Sequence, residues 1–191
     1  METTYIVKSG IDILQSCIGQ KIKSITADDW DGFDRSYGAV LVEIGEQGIV
    51  IDNDYRTVKY LDSIEEFTGF TVIKLANLDE FEPSVLEENL KTQKLDDEIL
   101  SIEIVRDVIN VEWLLDRQAE HYIVDQAIIF KFAEYEWLLG LDSTITPMIS
   151  MHFGKNVKAF IISTEDVISE WSDVENNDFN VTVERTVMNL S

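Results

Sequence analysis

The sequence predicts an α+β fold made mainly of antiparallel β-sheet, with two or three short helices. Runs of β-branched and aromatic residues recur along the chain and are separated by turn residues, which is the pattern of strands. Long segments with helical periodicity are scarce, which disfavours the crossovers that parallel strands require. We expect one domain over residues 1–191, a length sufficient to bury a sizeable core.

The first predicted unit is a lead strand followed by a hairpin. The lead strand lies at residues 22–25, and two apolar runs follow at residues 39–44 and 49–51. Gly45 and Gly48 bound the break between these runs, and glycines supply the positive φ angles that a tight hairpin turn needs.

The same arrangement recurs later in the chain. A lead phrase at residues 99–102 precedes apolar runs at residues 127–132 and 137–139, which are separated by a polar break. This recurrence predicts an internal duplication, in which the two strand-hairpin units superpose about a pseudo-twofold axis. The domain would then consist of two similar halves, about 18–76 and 96–162.

The two predicted copies differ in length. The hairpins start 88 residues apart and the lead phrases start 77 apart, so the second copy holds 11 extra residues. Apolar and polar residues alternate over 109–115, which indicates an added strand. Residues 105, 109 and 113 would equally share one helical face, so strand and helix both remain open for 105–119.

Residues 77–95 are predicted to form an acidic helical connector between the halves. Pro83 suits the first turn of a helix, acidic residues follow it, and Lys91 and Lys94 come late, where they complement the helix dipole. Leu86 and Leu90 supply a narrow apolar stripe.

Two further helices and three further strands complete the prediction. Acidic residues after Ser163 and Thr164 indicate a helix that runs through Trp171, and a short helix is expected at residues 63–67. The further strands are expected near Phe70, near Val157 and from Phe179 onward, the last with the alternation of a half-buried edge strand.

The net charge is the strongest functional signal. Acidic residues number 37 against 15 Lys and Arg, giving a formal charge of -22, and the excess is spread along the chain. Such a charge repels nucleic acid and anionic membrane surfaces, and it attracts a basic protein or a metal cation. Solubility alone is the competing explanation of this acidity.

The remaining features predict a cytoplasmic protein. No apolar run approaches the length of a bilayer crossing, and the N-terminal residues lack the pattern of a signal peptide. Cys17 is the single cysteine, which suits a reducing compartment, and its amphipathic surroundings predict a buried small hydrophobe.

No motif of enzymatic chemistry stands out, so we expect neither an enzyme nor a cofactor nor a bound metal. Phosphate-binding loops, zinc-ligand spacings and nucleophile elbows are missing from the sequence. His121 and His152 are the only imidazoles, and both are expected to be core or rim residues. Chelators should accordingly leave the melting temperature unchanged.

The segment from residue 28 to residue 38 mixes carboxylates with aromatic rings. A calcium loop is excluded, because placing Gly32 at the turn would put Ala27 and Gly38 at ligand positions. A solvated loop with Trp30 on the core, a loose cation site and a recognition loop for a basic protein remain open. For the recognition loop the predicted contacts are Asp28, Asp29, Trp30, Asp31, Phe33, Asp34 and Tyr37.

In size, charge and lack of catalytic motifs, though in no sequence motif, the chain resembles the acidic immunity proteins with which bacteria neutralise basic nuclease toxins. The resemblance implies an inhibitor of a basic protein partner. Two alternatives stand beside it. One is a small-ligand-binding protein or enzyme with a pocket between the two halves. The other is a scaffold domain that forms homo-oligomers through an exposed strand edge.

Overall fold

The computed structural model describes residues 4–28, 34–60, 63–83, 85–113, 119–172 and 179–191. Within these residues the fold is mostly antiparallel β-sheet, and 62% of the described residues lie in strands. The helices are α1 (Lys8–Ser16) and α2 (Thr164–Ser172). The strands are β1 (Lys21–Asp28), β2 (Arg35–Tyr37), β3 (Val40–Ile44), β4 (Gln47–Tyr60), β5 (Ser63–Leu75), β6 (Leu90–Glu98), β7 (Ser101–Trp113), β8 (Ala119–Lys131), β9 (Glu136–Leu141), β10 (Met148–Gly154) and β11 (Phe179–Leu190).

The strands form two sheets. One has five strands in the order β5-β4-β3-β1-β6, and the other has six in the order β11-β7-β8-β9-β10-β2. All of the pairings within these sheets are antiparallel, which confirms the predicted sheet type. In the part of the chain that is described, no helix has the length and apolar character needed to cross a membrane.

Both predicted hairpins are present, each beside its lead strand. In the first, β3 pairs with β4 and β1 lies on the other side of β3. In the second, β8 pairs with β9 and β7 lies on the other side of β8. Each sheet therefore contains a predicted lead strand beside a predicted hairpin. The superposition of the two strand-hairpin units, and with it the duplication, stays a prediction.

The predicted helical connector at residues 77–95 is wrong. Among its described residues only two single 3-10 turns occur, at Leu78–Glu80 and Glu87–Asn89, and the chain then enters β6. Strand β6 pairs with β1 at the edge of the five-stranded sheet, and most of its residues face solvent. A strand exposed on both faces does not need alternating apolar residues, so its sequence lacks the signal on which a strand prediction depends.

Three smaller predictions are also wrong. The helix expected at residues 63–67 is part of β5, and the strand expected near Val157 is a 3-10 turn, Val157–Phe160. The alternating residues from 109 onward do lie in a strand, but they lengthen β7 rather than add a strand to the second copy. Residues 114–118, with Leu115, lie outside the described residues.

One hydrophobic core holds the two sheets together. Its buried side chains come from both sheets and from both helices, with Leu14 of α1 and Val167 and Trp171 of α2 among them. Cys17 is buried in the same core, as the sequence predicts. Burial of this many aliphatic and aromatic side chains is the main stabilising contribution to the fold.

The segment between β10 and α2 crosses the six-stranded sheet and is anchored to it. Val157 packs on a second cluster of buried residues that includes Val105, Ile129 and Leu138. Further along the crossover, the carbonyl oxygen of Ile162 accepts a hydrogen bond of 2.8 Å from a guanidinium nitrogen of Arg185 in β11. This attachment fixes the segment that forms one side of the site described next.

Candidate functional site

A cleft of about 460 Å³ opens where β2, β10 and the crossover into α2 meet. We call it the acidic cleft. Its lining residues are Asp34, Arg35, Leu141, Asp142, Ser150, His152, Phe160, Ile162 and Asp166. Asp34 and Arg35 come from the first predicted half of the chain and residues 141–162 come from the second, so the cleft joins the two.

Strand β2 brings the first half of the chain to this place. It pairs with β10 at the edge of the six-stranded sheet, with Arg35 opposite Ser150 and Tyr37 opposite Met148. The backbone carbonyl of Asp34 accepts a 2.7 Å hydrogen bond from the amide of Met151. These backbone bonds hold Asp34 and Arg35 at the mouth of the cleft.

The charged side chains around the cleft are predominantly acidic. Asp34 and Asp166 are exposed, and Asp142 is half-buried. Among the described residues that line the cleft, Arg35 is the only Lys or Arg, and its guanidinium lies 3.3 Å from a carboxylate oxygen of Asp142. With its one cation engaged by one of three carboxylates, the cleft keeps an excess of negative charge.

One wall of the cleft is a stacked pair of rings. The imidazole of His152 lies nearly parallel to the ring of Phe160, at 15° and with 4.0 Å between their centroids. Phe160 is 55% exposed although it is a large hydrophobe. The anchored 3-10 turn that begins at Val157 carries this ring over β10.

The surroundings of His152 lower its pKa below the ordinary value. The largest cause is its burial, which penalises the charged imidazolium, and Arg35 acts in the same direction. Asp34 and Asp142 oppose the shift, because a carboxylate favours the protonated ring. The pKa of His152 therefore depends on charged side chains from both predicted halves of the chain.

Ser150 is the most buried polar residue of the lining, at 6% exposed. Its hydroxyl donates a 3.2 Å hydrogen bond to the carbonyl of Gly140, so the hydroxyl oxygen remains an acceptor. A side chain at position 140 has no room, since a Cβ there would lie 2.9 Å from the Ser150 Oγ. Gly140 therefore keeps the place of Ser150 clear.

Asp166 is positioned by the start of α2. The Ser163 Oγ accepts a 3.0 Å hydrogen bond from the Asp166 amide and donates one of 2.7 Å to the Asp166 carboxylate. This is the capping arrangement that the sequence predicts for Ser163. One turn later, Glu170 accepts hydrogen bonds from the amide and hydroxyl of Thr144, which tie α2 to the loop after β9.

The structure distributes the predicted recognition residues unevenly. Asp34 lines the acidic cleft, and Tyr37 lies three residues further along the chain, at the end of β2, with 43% of its surface exposed. Asp28 ends β1 and is only 5% exposed, so its carboxylate does not face solvent as a steering charge would. The other predicted contacts, Asp29, Trp30, Asp31 and Phe33, lie outside the described residues.

Of the residues that line the cleft, Asp34 alone was predicted as part of a site, and Asp142, Asp166, His152 and Phe160 are four that were not. Asp166 is one of the acidic residues that predict a helix start, and it does lie in the first turn of α2, whereas Asp142 directly follows β9. His152 was expected to be a core or rim residue, and it does lie at a rim. Phe160 belongs to the segment whose predicted strand is wrong. No local pattern links these four, because the tertiary fold alone brings them together.

The described residues offer no metal centre and leave the other histidine apart from the cleft. No group of three or more His, Cys, Asp or Glu side chains that could hold a metal ion occurs among them. A ring nitrogen of His121 in β8 lies 2.5 Å from the side-chain oxygen of Asn110 in β7. His121 is four residues from Asp125 on a strand, and Asp125 is instead paired with Arg106.

No family model matches this chain, and neither a curated protein nor a solved structure matches it. The geometry of the acidic cleft is therefore the basis of the functional proposal.

Proposed function

We propose that the protein binds a basic protein partner and takes a positively charged side chain of that partner into the acidic cleft. An inhibitor of the immunity type, acting on a basic protein such as a toxin nuclease, is the kind of protein this describes. The observation that carries the proposal is a concave site with three carboxylates, where the single cation, Arg35, is already paired with Asp142.

The charge of the whole chain supports the same proposal. A formal charge of -22 draws a basic partner in over long distances and speeds the encounter. Long-range attraction alone gives a short-lived complex, and residence requires packed contacts. Phe160 is an exposed ring in the lining of the cleft, and Tyr37 is an exposed ring at the end of β2. Aromatic anchors of this kind dominate the energy of many interfaces.

A small cationic ligand is the second candidate. The cleft lies between residues of the two predicted halves, and its volume of about 460 Å³ falls within the range of small-molecule sites. Both candidates place a positively charged group in the acidic cleft. They differ in whether a protein or a small molecule carries that group.

The test is a titration with a synthetic basic peptide, for example twelve residues in which lysine and arginine alternate with glycine. The two histidines give two imidazole signals in a proton NMR spectrum, one from the cleft and one from His121 outside it. We expect the His152 signal to move on titration while that of His121 stays in place. Raising the salt concentration should weaken the binding, because the Debye length falls from about 10 Å at 0.1 M to about 3 Å at 1 M.

Asp34→Asn is the informative variant. The Asp34 side chain is exposed, and the hydrogen bond that joins this residue to β10 is made by its backbone carbonyl. It should weaken peptide binding by several-fold. Glu46→Gln removes one charge from the exposed β3–β4 turn, outside the cleft, and is the matched control for net charge. If both variants bind like the parent, or if His152 does not respond to the peptide, the acidic cleft is not the binding site.

A further inference from the structure

We infer that the acidic cleft selects a guanidinium group over an ammonium group, so that the recognised side chain is an arginine. This inference rests on the proposed function and adds the chemical identity of the ligand. It depends on the shape of the site more than on its charge, since three carboxylates alone would attract either cation.

One wall of the cleft is formed by two stacked aromatic rings. The Phe160 ring lines the cleft and is more than half exposed, and its neighbour His152 lies parallel to it. A guanidinium is planar and weakly hydrated, so it stacks on an aromatic face at little cost of desolvation. An ammonium is compact and strongly hydrated, and it gains less from such a wall.

The cleft already contains one guanidinium. Arg35 lies in the lining, 3.3 Å from Asp142, whereas Asp34 and Asp166 have no Lys or Arg within ion-pairing distance among the described residues. A second guanidinium can meet these carboxylates with two parallel N–H groups, which a lysine cannot do. The Ser150 hydroxyl oxygen is a further acceptor at the buried side of the site.

Elsewhere in the same chain, Arg106 is bound by the same kinds of group that line the cleft. The guanidinium of Arg106 is held by two hydrogen bonds to Asp125, at 2.6 and 2.9 Å, and its central carbon lies 5.2 Å from the centroid of the Tyr5 ring. A carboxylate fork and an aromatic ring thus bind an arginine together. The acidic cleft offers the same two elements, Asp34 or Asp166 and Phe160, to an arginine from outside.

The experiment compares three capped tripeptides, Gly-Arg-Gly, Gly-Lys-Gly and Gly-citrulline-Gly, with the His152 NMR signal as the readout. Citrulline has the shape of arginine without its charge. We expect the arginine peptide to bind about tenfold more tightly than the lysine peptide, consistent with one stacking and bidentate contact. The citrulline peptide should leave the signal unmoved. Arginine amide serves as the small-molecule probe.

Phe160→Leu should reduce the preference for arginine to about twofold, because it weakens binding of the arginine peptide more than that of the lysine peptide. Phe153→Leu is the matched control, because Phe153 is a partly exposed ring in β10 that does not line the cleft. It should keep the full preference. Amide spectra and melting curves of both variants establish that the fold is intact.

The outcomes separate the inference from the proposed function. Equal affinity for the arginine and lysine peptides, with His152 responding to both, overturns the inference and leaves the proposed function standing. A His152 signal that responds to neither peptide overturns both. Tight binding of arginine amide alone supports guanidinium recognition and assigns the source to a small molecule. Tighter binding of the peptide assigns it to a protein.

Discussion

At the scale of single residues, the buried carboxylates show how so acidic a chain remains folded. Asp107 and Asp125 are fully buried, and each is held by an arginine through two hydrogen bonds. A buried charge is tolerated only when it is paired and hydrogen-bonded. Each of these pairs is neutral, so the formal net charge of -22 is carried by the other side chains.

We predict a large loss of stability on replacing Arg185. Arg185→Met would leave the Asp107 carboxylate buried and unpaired and would free the carbonyl of Ile162, at a cost of about 3–5 kcal/mol in the free energy of unfolding. Urea denaturation measures this as a lower midpoint. Adding Asp107→Leu should restore most of the loss, because both charges are then gone.

The control for Arg185→Met is Lys8→Met, which removes an exposed ion pair with Asp12 on α1. Exposed pairs of this kind contribute little, so the urea midpoint should stay where it is. An Arg185→Met protein as stable as the parent would contradict the account of the buried pair.

The lowered pKa of His152 predicts how stability depends on pH. The unfolded chain has an ordinary imidazole pKa of about 6.5, whereas burial holds the folded value lower. As the pH falls below about 6.5 the unfolded chain takes up the proton first, so the free energy of unfolding decreases. His152→Gln should flatten this slope as the pH falls below about 6.5 in urea titrations.

His121→Gln provides the comparison for the pH experiment, since it removes the other imidazole and leaves His152 in place. It should keep the slope that His152 causes. A His152→Gln protein whose stability falls as steeply as that of the parent would refute the role given to burial at this ring.

At the scale of elements, the predictable parts are those with a local cause. Ser163 starts α2 because its hydroxyl satisfies a free amide of the first turn, and that signal is complete within four residues. Strand β6 and the 3-10 turn at Val157–Phe160 have no such signal. The first exists because β1 has a free edge, and the second because Val157 fits among residues of three distant strands.

Gly45 and Gly48 illustrate the same division within one hairpin. Gly45 has a φ of 61° in the β3–β4 turn, as the sequence predicts. Gly48 lies in β4 without a positive φ, and it is small for another reason: a Cβ there would lie 2.7 Å from a methyl group of Leu78. The turn requirement is readable from sequence, and the packing requirement is not.

We predict opposite preferences at these two glycines. Gly45→Asn should cost little, since asparagine tolerates the left-handed region, while Gly45→Val should cost roughly 1–2 kcal/mol. At position 48 even Gly48→Ala should destabilise, because the Leu78 side chain must move. Thermal melts of Gly45→Asn, Gly45→Val, Gly48→Ala and Gly48→Asn separate the effect of conformational strain from the effect of crowding. Equal losses for Gly45→Asn and Gly45→Val would disprove the turn argument.

At the scale of the whole molecule, the sequence predicted a mainly antiparallel β-sheet fold and singled out one residue, Asp34, that lines the acidic cleft. Net charge and strand content are sums over the chain, so a wrong prediction of one helix or strand changes them little. The acidic cleft depends on β2 joining β10 and on the path of the crossover, which no local pattern encodes. Asp34 was predicted for its own chemistry, and Asp142, Asp166 and Phe160 join it only in three dimensions.

The net charge predicts that salt stabilises the protein. With a formal charge of -22 the folded state carries strong self-repulsion, which ions screen. Sodium chloride raised from about 0.02 M to about 0.5 M should increase the melting temperature by several degrees. Sodium chloride is preferable to sulfate here, because sulfate also strengthens apolar burial. A melting temperature that falls or stays constant with salt would show that repulsion is not a significant cost.

The position of β2 also sets the moment at which a newly made chain becomes competent to bind. Every strand of the five-stranded sheet is complete by Glu98, yet β2, synthesised among them, has no partner until β10 begins at Met148. At about 5–20 residues per second, a ribosome delivers that partner roughly 5–20 seconds after Tyr37. Asp166 follows later still. A nascent chain stalled before residue 148 should therefore ignore the arginine peptide, however well its first sheet has formed.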